Sequence, residues 1–388
     1  MSPTFHDLGA SAEITTSLAA RGITIPTPIQ ADTIPAALAG RDVAGRAPTG
    51  SGKTLAFGIP LAALVSRARP ARPRALVLVP TRELAAQVER ELRPLLALRK
   101  RSVAAFYGGT SFVPQLKALR RGVDVVVACP GRLADLVRRT NVYLDEVELV
   151  VVDEADRMAD MGFLPEVRRL LDTVRSDRQT LLFSATLDGD VDVLIRRYQH
   201  DPHRADVVAA EEELDLTSHK FIDVTREKRA SVTEQLIVDH GPTVVFCRTK
   251  HGADRLAKRL TQGGTRAVAI HGDRSQAQRE RALAEFSAGR ATALIATDVA
   301  ARGIHVDGVA CVVHFDFPGD TKDYVHRSGR TGRAGAKGAV VTLVTDADRQ
   351  AARKLQRDLG LAGPAPTPAT ETRPARTEQR RPPRRRRR

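Results

Sequence analysis

The chain has 388 residues, which is too many for one ordinary hydrophobic core, and 42% of them are hydrophobic, as in globular proteins. The lack of any run of about 18 apolar residues excludes a helical membrane span. The 61 Lys and Arg outnumber the 46 Asp and Glu and give a formal charge of +15. This balance leaves two interpretations open, a polyanionic partner and a solvated positive surface that only aids solubility.

The cysteines and the N-terminus bear on the compartment. Cys129, Cys247 and Cys311 form no C-x-x-C pair, and each lies in or beside an apolar run. This favours core or reduced thiols over disulfides or a zinc site. Residues 1–9 lack a basic segment followed by an apolar one, so we expect no secretory signal and a cytoplasmic protein.

Up to about Asp201, short apolar runs alternate with longer helical patterns. Several runs are apolar throughout, which is typical of strands buried on both faces of a parallel sheet. A helix is predicted over 163–173, and another over 82–92 that we expect to end before Pro94. The predicted strands of this half are 75–79, 103–106, 123–128, 149–152 and 180–183.

The pattern changes near 206–217, where few large apolar residues and the run Glu211-Glu212-Glu213 predict a linker. The same alternation then resumes. Its predicted strands are 221–224, 243–247, 267–270, 292–295, 310–315 and 339–344. The predicted fold class is therefore α/β, with two tandem domains built on parallel sheets.

The pattern of predicted elements divides the chain into a first domain over 1–205, a second over 218–361 and a C-terminal tail over 362–388. Residues 363–388 hold nine arginines and two glutamates, and so carry +7 of the formal charge. They show no periodic apolar residues, so we expect a disordered basic tail.

The stretch Ala47-Pro48-Thr49-Gly50-Ser51-Gly52-Lys53-Thr54 has the composition of a loop that wraps a triphosphate. Its glycines let the backbone approach an anion, Lys53 supplies a positive charge, and the Thr54 hydroxyl is suited to Mg²⁺. A helix whose positive end would face the phosphates follows it. The alternative is a glycine-rich turn by coincidence, since Ala47 stands where the G-x-x-x-x-G-K-S/T pattern has its first glycine.

The acidic stretch Asp153-Glu154-Ala155-Asp156 directly follows the apolar run 149–152. A carboxylate at the end of a buried strand suits a second Mg²⁺-coordinating position, so Asp153 would hold the ion with Thr54 on its other side. Glu154 would orient or deprotonate the attacking water. The alternative is an acidic helix N-terminus, where carboxylates are favoured in any case.

These four residues spell the box for which the DEAD-box RNA helicases are named, and the chain resembles that family motif by motif over nearly all but its tail. The resemblance implies two RecA-like domains of the superfamily 2 helicases, with ATP and Mg²⁺ as cofactors. In this family an alanine stands at the place of Ala47. The resemblance also implies ATP contacts from Phe5, Thr27 and Gln30, with the Gln30 amide reading adenine.

The resemblance further implies an RNA-binding set whose members hold phosphates and sugars with backbone amides, hydroxyls and guanidinium groups. In the first domain these residues are Pro80, Thr81, Arg82, Gly109, Pro130, Gly131 and Arg132. In the second domain they are Arg248, Thr249, Gly272, Arg279 and Thr297. Taken one at a time, each of these elements also fits an ordinary turn.

Two further motifs concern coupling and catalysis. Ser184-Ala185-Thr186 resembles the motif that couples hydrolysis to strand separation, with its hydroxyls bonding to Asp156 and His326, although an N-cap explains a lone Ser or Thr equally well. The loop from His326 to Arg333 resembles the one that supplies arginine fingers, here Arg330 and Arg333, to the γ-phosphate. A solvated basic turn is the alternative.

The chain departs from the family pattern at three positions. Ile23 stands where an aromatic residue usually lies near the base, which predicts weaker adenine stacking. Cys129 replaces the usual threonine before Pro130, so one hydroxyl contact to RNA is absent. His305 replaces a ribose-binding aspartate, which predicts altered ribose recognition, with Asp307 as a speculative substitute.

The function expected is that of a monomeric ATP-dependent RNA helicase that unwinds short duplexes locally or remodels RNA–protein complexes. Its contacts would go mainly to the RNA backbone, and the tail would add affinity for RNA. Two rivals remain, a DNA helicase and an RNA clamp or scaffold with slow turnover.

Overall fold

The structure is a computed structural model, and it describes residues 3–48, 50–207, 217–301, 308–332, 337–361 and 367–368. These residues form two parallel seven-stranded sheets with helices on both faces. The predicted α/β class with two parallel sheets is confirmed. The predicted tail lies outside the described residues except for Thr367 and Pro368.

The first sheet has the strand order β3-β4-β2-β5-β6-β1-β7. Its strands are β1 (Val43–Arg46), β2 (Ala75–Leu78), β3 (Val103–Phe106), β4 (Val125–Ala128), β5 (Leu149–Asp153), β6 (Gln179–Ser184) and β7 (His203–Asp206). The helices of this half are α1 (Ala12–Ala19), α2 (Pro28–Leu38), α3 (Lys53–Leu64), α4 (Arg82–Leu98), α5 (Phe112–Arg121), α6 (Pro130–Arg138), α7 (Ala155–Asp160), α8 (Leu164–Leu171) and α9 (Asp190–Tyr198).

The second sheet has the order β10-β11-β9-β12-β13-β8-β14. Its strands are β8 (Thr217–Asp223), β9 (Thr243–Phe246), β10 (Ala267–Ile270), β11 (Ala293–Ala296), β12 (Cys311–His314), β13 (Gly338–Val344) and β14 (Thr367–Pro368). Its helices are α10 (Arg229–His240), α11 (Lys250–Gln262), α12 (Gln276–Ser287), α13 (Asp298–Ala301), α14 (Thr321–Ser328) and α15 (Arg349–Asp358).

Each central strand buries both of its faces, which explains the uninterrupted apolar runs of the sequence. In β2, Val77 packs into the core on one side of the first sheet, while Leu76 and Leu78 pack into the core on the other side. The second sheet likewise lies between two cores, with Val244 in one and Val245 in the other. Because all strands are parallel, their carboxyl ends share one edge of each sheet, where ligands of such sheets bind.

The structure differs from the prediction in three places. The helix α4 continues through Pro94 to Leu98, so the predicted end before Pro94 is wrong. Proline removes one helical hydrogen bond, but the following Leu95 and Leu96 are fully buried and stabilise the last turn. The edge strand β7, paired with β1, was not predicted, and β8 begins at Thr217, inside the predicted linker.

None of the helices in the described ranges combines the length and the apolar character that crossing a membrane requires. All three cysteines are free, with Cys247 and Cys311 buried and Cys129 partly exposed.

Candidate functional site

The phosphate-loop sequence lies between β1 and α3, at the carboxyl edge of the first sheet. Gly50 and Gly52 adopt positive φ angles of 92° and 91°, which residues with a Cβ rarely adopt. The Lys53 Nζ donates hydrogen bonds to the carbonyl oxygens of Ala47 at 2.7 Å and Pro48 at 2.9 Å. The lysine therefore closes the loop on itself. Thr49, which was predicted to contact ATP, lies outside the described residues.

Thr27 and Gln30 bind this loop from the start of α2. The Thr27 hydroxyl donates to the Ser51 carbonyl at 2.8 Å, and the Gln30 amide nitrogen donates to the Gly52 carbonyl at 2.9 Å. The other end of the Gln30 amide accepts from the Thr27 N–H at 3.0 Å. Both ends of the amide are thus engaged within the protein, where we expected them to face adenine.

The two residues expected near the base are placed differently from each other. Phe5 is only 1% exposed and belongs to the core beside the first sheet, so its ring packs against apolar side chains instead of lining the cleft. An aromatic ring so far from solvent gains more from burial than from stacking at the surface. Ile23, by contrast, lines the cleft described below.

Asp153 is the last residue of β5 and is 3% exposed. Burial raises the pKa of its carboxyl to about 7, although the nearby Lys53 ammonium lowers it. Among the hydrogen bonds of the described residues, this carboxylate accepts one, from the Glu154 N–H at 3.0 Å. A buried carboxylate with so few donors is stabilised as an anion when a cation binds beside it.

Glu154 follows in the left-handed region, with φ 54° and ψ 50°, and caps α7. Its Oε2 accepts a hydrogen bond from Arg157 Nη1 at 3.1 Å, and both side chains are buried. Burial would raise the pKa of Glu154, but the neighbouring Arg157, Arg330 and Lys53 cations lower it below its usual value. The side chain is therefore a carboxylate at neutral pH and is able to accept a proton.

A cleft of about 270 Å³ brings these elements together with a residue of the second sheet. Arg330, which follows α14, is 7% exposed and lies in this cleft. The residues that line it are Arg21, Ile23, Gly50, Gly52, Lys53, Thr54, Leu55, Leu84, Gln87, Glu91, Asp153, Glu154 and Arg330. Arg333, the second predicted arginine finger, lies outside the described residues.

The donor set suits Mg²⁺ held jointly by protein and phosphates. The Thr54 hydroxyl and the Asp153 carboxylate line the same cleft, and oxygen atoms of this kind are the ligands that Mg²⁺ prefers. In the described part of the chain, no group of three or more His, Cys, Asp or Glu residues forms an all-protein metal site. Mg²⁺ usually has one or two protein carboxylates and completes its coordination with phosphates and water.

The predicted coupling residues meet only in part. The Ser184 hydroxyl at the end of β6 accepts a hydrogen bond from the backbone N–H of Asp156 at 3.1 Å, so this predicted contact is made through the backbone. Thr186 is exposed. His326 lies with Arg157 in a small cavity between the two sheets, and burial lowers its pKa.

A second, larger cleft of about 1100 Å³ lies between the domains and holds most of the predicted RNA-binding residues. From that set it is lined by Pro80, Thr81, Arg82, Gly109, Gly131, Arg132, Gly272 and Arg279. The other four predicted residues, Pro130, Arg248, Thr249 and Thr297, are not among the described residues that line this cleft.

Glycine makes room for a guanidinium group at one point of this cleft. Gly109 has φ 77°, and a Cβ at this position would lie 2.0 Å from an Arg82 nitrogen. Arg132, in contrast, is held inside the first domain, where it donates to the Gln115 side chain at 3.0 Å and stacks 3.9 Å above the Phe112 ring. Arg132 therefore lines the cleft with some of its N–H donors already bonded within the domain, whereas we expected its guanidinium group to bind phosphate.

An ion pair joins the two domains beside the same cleft. Arg279 Nη2 of α12 lies 2.9 Å from Glu83 Oε2 of α4, and the side chains are 8% and 5% exposed. Arg279 was predicted to contact RNA, and its charge instead faces a carboxylate. Burial raises the pKa of the nearby Cys129 thiol to about 12, so this residue remains a neutral thiol. His305 and Asp307 lie outside the described residues.

Known proteins match the chain over most of its length. A family model of the DEAD/DEAH box helicases matches residues 27–194, and one of the helicase conserved C-terminal domain matches residues 227–335. The DEAD-box ATP-dependent RNA helicase 30 of Arabidopsis thaliana is 43% identical over 368 residues, which is 92% of this chain and 62% of that protein. The chain belongs to the DEAD-box family of ATP-dependent RNA helicases. Members of this family are ATP-hydrolysing enzymes, and the predicted resemblance is confirmed.

Other DEAD-box proteins show the same relationship in sequence and in structure. CshA of Geobacillus kaustophilus is 42% identical over 88% of this chain and 73% of its own. S. cerevisiae Dbp5 bound to RNA and ADP BeF3 has a TM-score of 0.82 at 28% identity, covering 94% of this chain and 95% of that one. A DEAD box protein from Methanococcus jannaschii has 0.56 at 34% identity, covering 95% and 100%.

Sequence reasoning missed several residues of this DEAD-box site. Arg21, Gln87 and Glu91 line the cleft of about 270 Å³, the nucleotide-side cleft, but stand in no motif. Gln87 and Glu91 lie on α4 and Arg21 follows α1, so their positions depend on how these helices pack. Arg157 was also missed, although a signal was present. It stands three residues after Glu154 at the start of a helix, and this spacing brings opposite charges together.

Proposed function

We propose that the chain is an ATP-dependent RNA helicase whose hydrolytic site is completed by both domains. The observation that carries this proposal is the cleft of about 270 Å³ that Lys53, Asp153 and Glu154 share with Arg330. Three of these residues come from the first domain and the fourth from the second. Hydrolysis at such a site depends on domain closure.

In this proposal the loop Ala47–Thr54 holds the phosphates of ATP through its backbone amides and Lys53. Thr54 and Asp153 would hold Mg²⁺, which neutralises charge that develops on the phosphates when bound. Thr27 and Gln30 would support the loop from behind through their hydrogen bonds to Ser51 and Gly52. Adenine recognition by Gln30 stays a prediction, and the second N–H and the second lone pair of its amide are the groups that would contact the base.

Glu154 would serve as the base that orients the attacking water and accepts its proton. Its lowered pKa keeps it ionised at neutral pH, and its position beside Lys53 and Arg330 places it where phosphate charge would lie. Arg330 would stabilise the charge that develops on the γ-phosphate as bonds break, as arginine fingers do in other nucleotide hydrolases.

RNA would occupy the cleft of about 1100 Å³ between the domains. This cleft is lined by glycine backbone and by the guanidinium groups of Arg82 and Arg132, which suit phosphates rather than base edges. Base sequence should therefore matter little, and contacts to 2′-hydroxyls would favour RNA over DNA. A strand bent to fit the cleft would no longer pair with its complement, which opens a short duplex locally.

The remaining features of the proposal concern the organisation of the chain. We infer the domain limits 1–205 and 218–361, a monomeric state and a cytoplasmic location. The basic tail over 362–388 would bind the RNA backbone and raise the local concentration of RNA near the domains. The affinity that it adds would depend strongly on salt. Removing residues 363–388 should lower RNA affinity and flatten its salt dependence. Unchanged values would contradict the tethering role of the tail.

The ATPase rate with RNA, with DNA and without nucleic acid tests the main proposal. RNA should stimulate hydrolysis and a labelled short RNA duplex should separate in the presence of ATP. Stimulation by DNA would favour the DNA helicase, and RNA binding without turnover would favour a clamp. Glu154→Gln should abolish most hydrolysis while RNA binding persists, and hydrolysis at the unsubstituted rate would refute Glu154 as the base.

A further inference from the structure

Arg157 is buried at the boundary between the two domains, and its guanidinium group is only partly paired. Its side chain is 4% exposed, and Nη1 donates to Glu154 Oε2 at 3.1 Å. Its Nε and Nη2 atoms are buried and have no hydrogen-bond partner among the described residues. Buried donors are almost always paired in folded proteins, so two empty donors on one guanidinium group need an explanation other than stability.

The backbone of Glu154 gives the first part of that explanation. A glutamate at φ 54° is in the left-handed region, which is unfavourable for a residue with a Cβ. Such strain persists only where surrounding contacts hold the residue in place. Glu154 has two such contacts from nearby in the chain, from its N–H to Asp153 Oδ1 at 3.0 Å and from its side chain to Arg157.

The geometry of the pair leaves half of the carboxylate available. Arg157 contacts Oε2 alone, although its planar guanidinium group is able to bind both oxygens of a carboxylate. The hydrogen bond that the Glu154 side chain accepts from Arg157 goes to Oε2 and leaves Oε1 outside the pair. One oxygen is therefore anchored, and the other remains able to accept a proton in the cleft that Lys53 and Arg330 line.

The surroundings of Arg157 come from the second domain. It shares a cavity of about 10 Å³ with Phe246, Asp298, Asp323, His326, Arg327 and Arg330. The guanidinium group of a first-domain residue thus lies between the carboxylate of the base and the segment that delivers Arg330. Its position is suited to aligning Glu154 when the domains close.

We propose that Arg157 is a positioning residue that holds the Glu154 side chain in its strained, proton-accepting geometry in the closed state. The inference rests on the proposed role of Glu154 as the base and adds a residue that acts only through it. Arg157 itself is not among the described residues that line the nucleotide-side cleft. A salt bridge that only stabilises α7 is the competing explanation, and it predicts no specific effect on the chemical step.

A double-mutant cycle on the full chain separates these explanations. Arg157→Met removes the charge and keeps an unbranched side chain, Glu154→Gln removes the base, and the third variant combines them. Single-turnover ATP hydrolysis with saturating RNA gives the rate of the chemical step for each. We expect Arg157→Met to lower kcat about 10- to 100-fold with KM for ATP changed less than about twofold, as for a misplaced catalytic group. Arg157→Lys should recover part of the rate.

The combined variant decides the outcome. If Arg157 acts through Glu154, the combined variant hydrolyses ATP no more slowly than Glu154→Gln alone, because the base is already absent. A further slowing of the same size as in Arg157→Met would overturn the inference while leaving Glu154 as the base. So would an unchanged kcat in Arg157→Met. An unimpaired Glu154→Gln would refute the proposed function and the inference with it.

Two controls keep the result tied to geometry. Arg90→Met removes an exposed arginine of α4 that is not among the described residues lining either cavity, and should leave both kcat and KM unchanged. Titration of nucleotide binding gives the folded, binding-competent fraction of each variant, and rates are expressed per binding site. A loss of rate that follows this fraction alone would assign Arg157 a structural role and overturn the inference.

Discussion

The two sheets place different chemistry at equivalent positions. β5 in the first sheet and β12 in the second occupy the same place in the strand order, next to β2 and β9. Leu78 of β2 pairs with Val152 of β5, and Phe246 of β9 pairs with His314 of β12. Two residues beyond Val152 stands Glu154, and two residues beyond His314 stands Asp316.

The cations beside these carboxylates also correspond. Lys53 and Arg229 each begin the helix that follows the equivalent strands β1 and β8. Arg229 Nη1 lies 2.8 Å from Asp316 Oδ1, and the other oxygen of Asp316 accepts the Arg248 N–H at 2.8 Å. Lys53 instead donates to the carbonyl oxygens of its own loop.

At the second edge the cation that begins the helix thus pairs with the carboxylate. At the first edge Glu154 pairs with Arg157, and Lys53, which has no carboxylate partner among the described residues, keeps its charge for a ligand. The carboxyl edge of a parallel sheet is a place for a site, but it becomes one only where charges are left to be balanced from outside. The glycine-rich loop makes this difference in the first domain, because its backbone carbonyl oxygens accept the hydrogen bonds of Lys53 in place of a carboxylate. The second domain contributes a cation, Arg330, to the site of the first.

Replacing Arg330 should have the largest effect, because it removes what the second sheet contributes to the first. Arg330→Ala should lower RNA-stimulated ATP hydrolysis by about 10³-fold or more, as for other arginine fingers, with nucleotide binding retained. Steady-state hydrolysis and nucleotide titration measure the two effects. Arg353→Ala, on the exposed face of α15, is the control and should hydrolyse ATP normally. A rate within about tenfold of the unsubstituted rate would mean that the cleft is not shared.

Lys53→Ala tests the carboxyl edge of the first sheet, where the lysine keeps its charge for a ligand. We expect kcat/KM for ATP to fall about 10²- to 10³-fold, because a preorganised cation aimed at the phosphates is lost. Stability should change little, since the lysine bonds only to two carbonyl groups among the described residues. Hydrolysis kinetics and thermal unfolding check both parts, with Lys117→Ala on α5 as the control. A large loss of stability at normal kcat/KM would assign Lys53 to the fold.

Arg229→Met tests the carboxyl edge of the second sheet, and here stability should fall while hydrolysis is kept. Removing this cation leaves Asp316 without its ionic partner, although the Asp316 side chain is only about a quarter exposed. We expect a loss of about 2 kcal/mol in the free energy of unfolding, smaller than for a fully buried pair. Urea denaturation followed by circular dichroism measures it. Hydrolysis per folded molecule should be preserved, and a selective loss of hydrolysis would break the comparison.

The smallest effect concerns pH, because β12 carries His314 where β5 carries Val152. Burial holds the pKa of His314 well below its ordinary 6.5, so the folded chain keeps it neutral while the unfolded chain protonates it below that pH. At this residue unfolding takes up a proton, so its contribution to stability falls as the pH falls below 6.5, by at most about 1.4 kcal/mol per pH unit. Asp153, whose pKa burial raises to about 7, contributes in the opposite direction, and the comparison with a His314 variant removes that contribution. His219, whose pKa burial also lowers, adds to the slope.

Denaturation from about pH 7.5 to about pH 5.5, a range that spans the ordinary histidine pKa, checks this expectation, and His314→Gln should flatten the slope. Equal slopes in the two proteins would show that the buried histidine takes no part. Val152 offers no such proton, so this part of the acid sensitivity comes from the second sheet.

The sequence alone predicts the sheets well, because runs such as Leu149–Val152 are buried on both faces and leave an uninterrupted apolar pattern. The motif residues at strand ends follow instead from their residue types and from the resemblance to the DEAD-box family. What it misses is set by packing between distant segments. The burial of Phe5, the engagement of Gln30 with the loop and the continuation of α4 through Pro94 all depend on tertiary contacts that outweigh local preference.

The ion pair between Glu83 and Arg279 has a consequence for turnover. Burial raises the pKa of Glu83 and lowers that of Arg279, so for each residue the loss of hydration outweighs the attraction of its partner. The ion pair therefore contributes more to the relative orientation of the domains than to the free energy of their association. In the proposed cycle the interface separates for product release, and the hydration that both charges gain on separation favours that step.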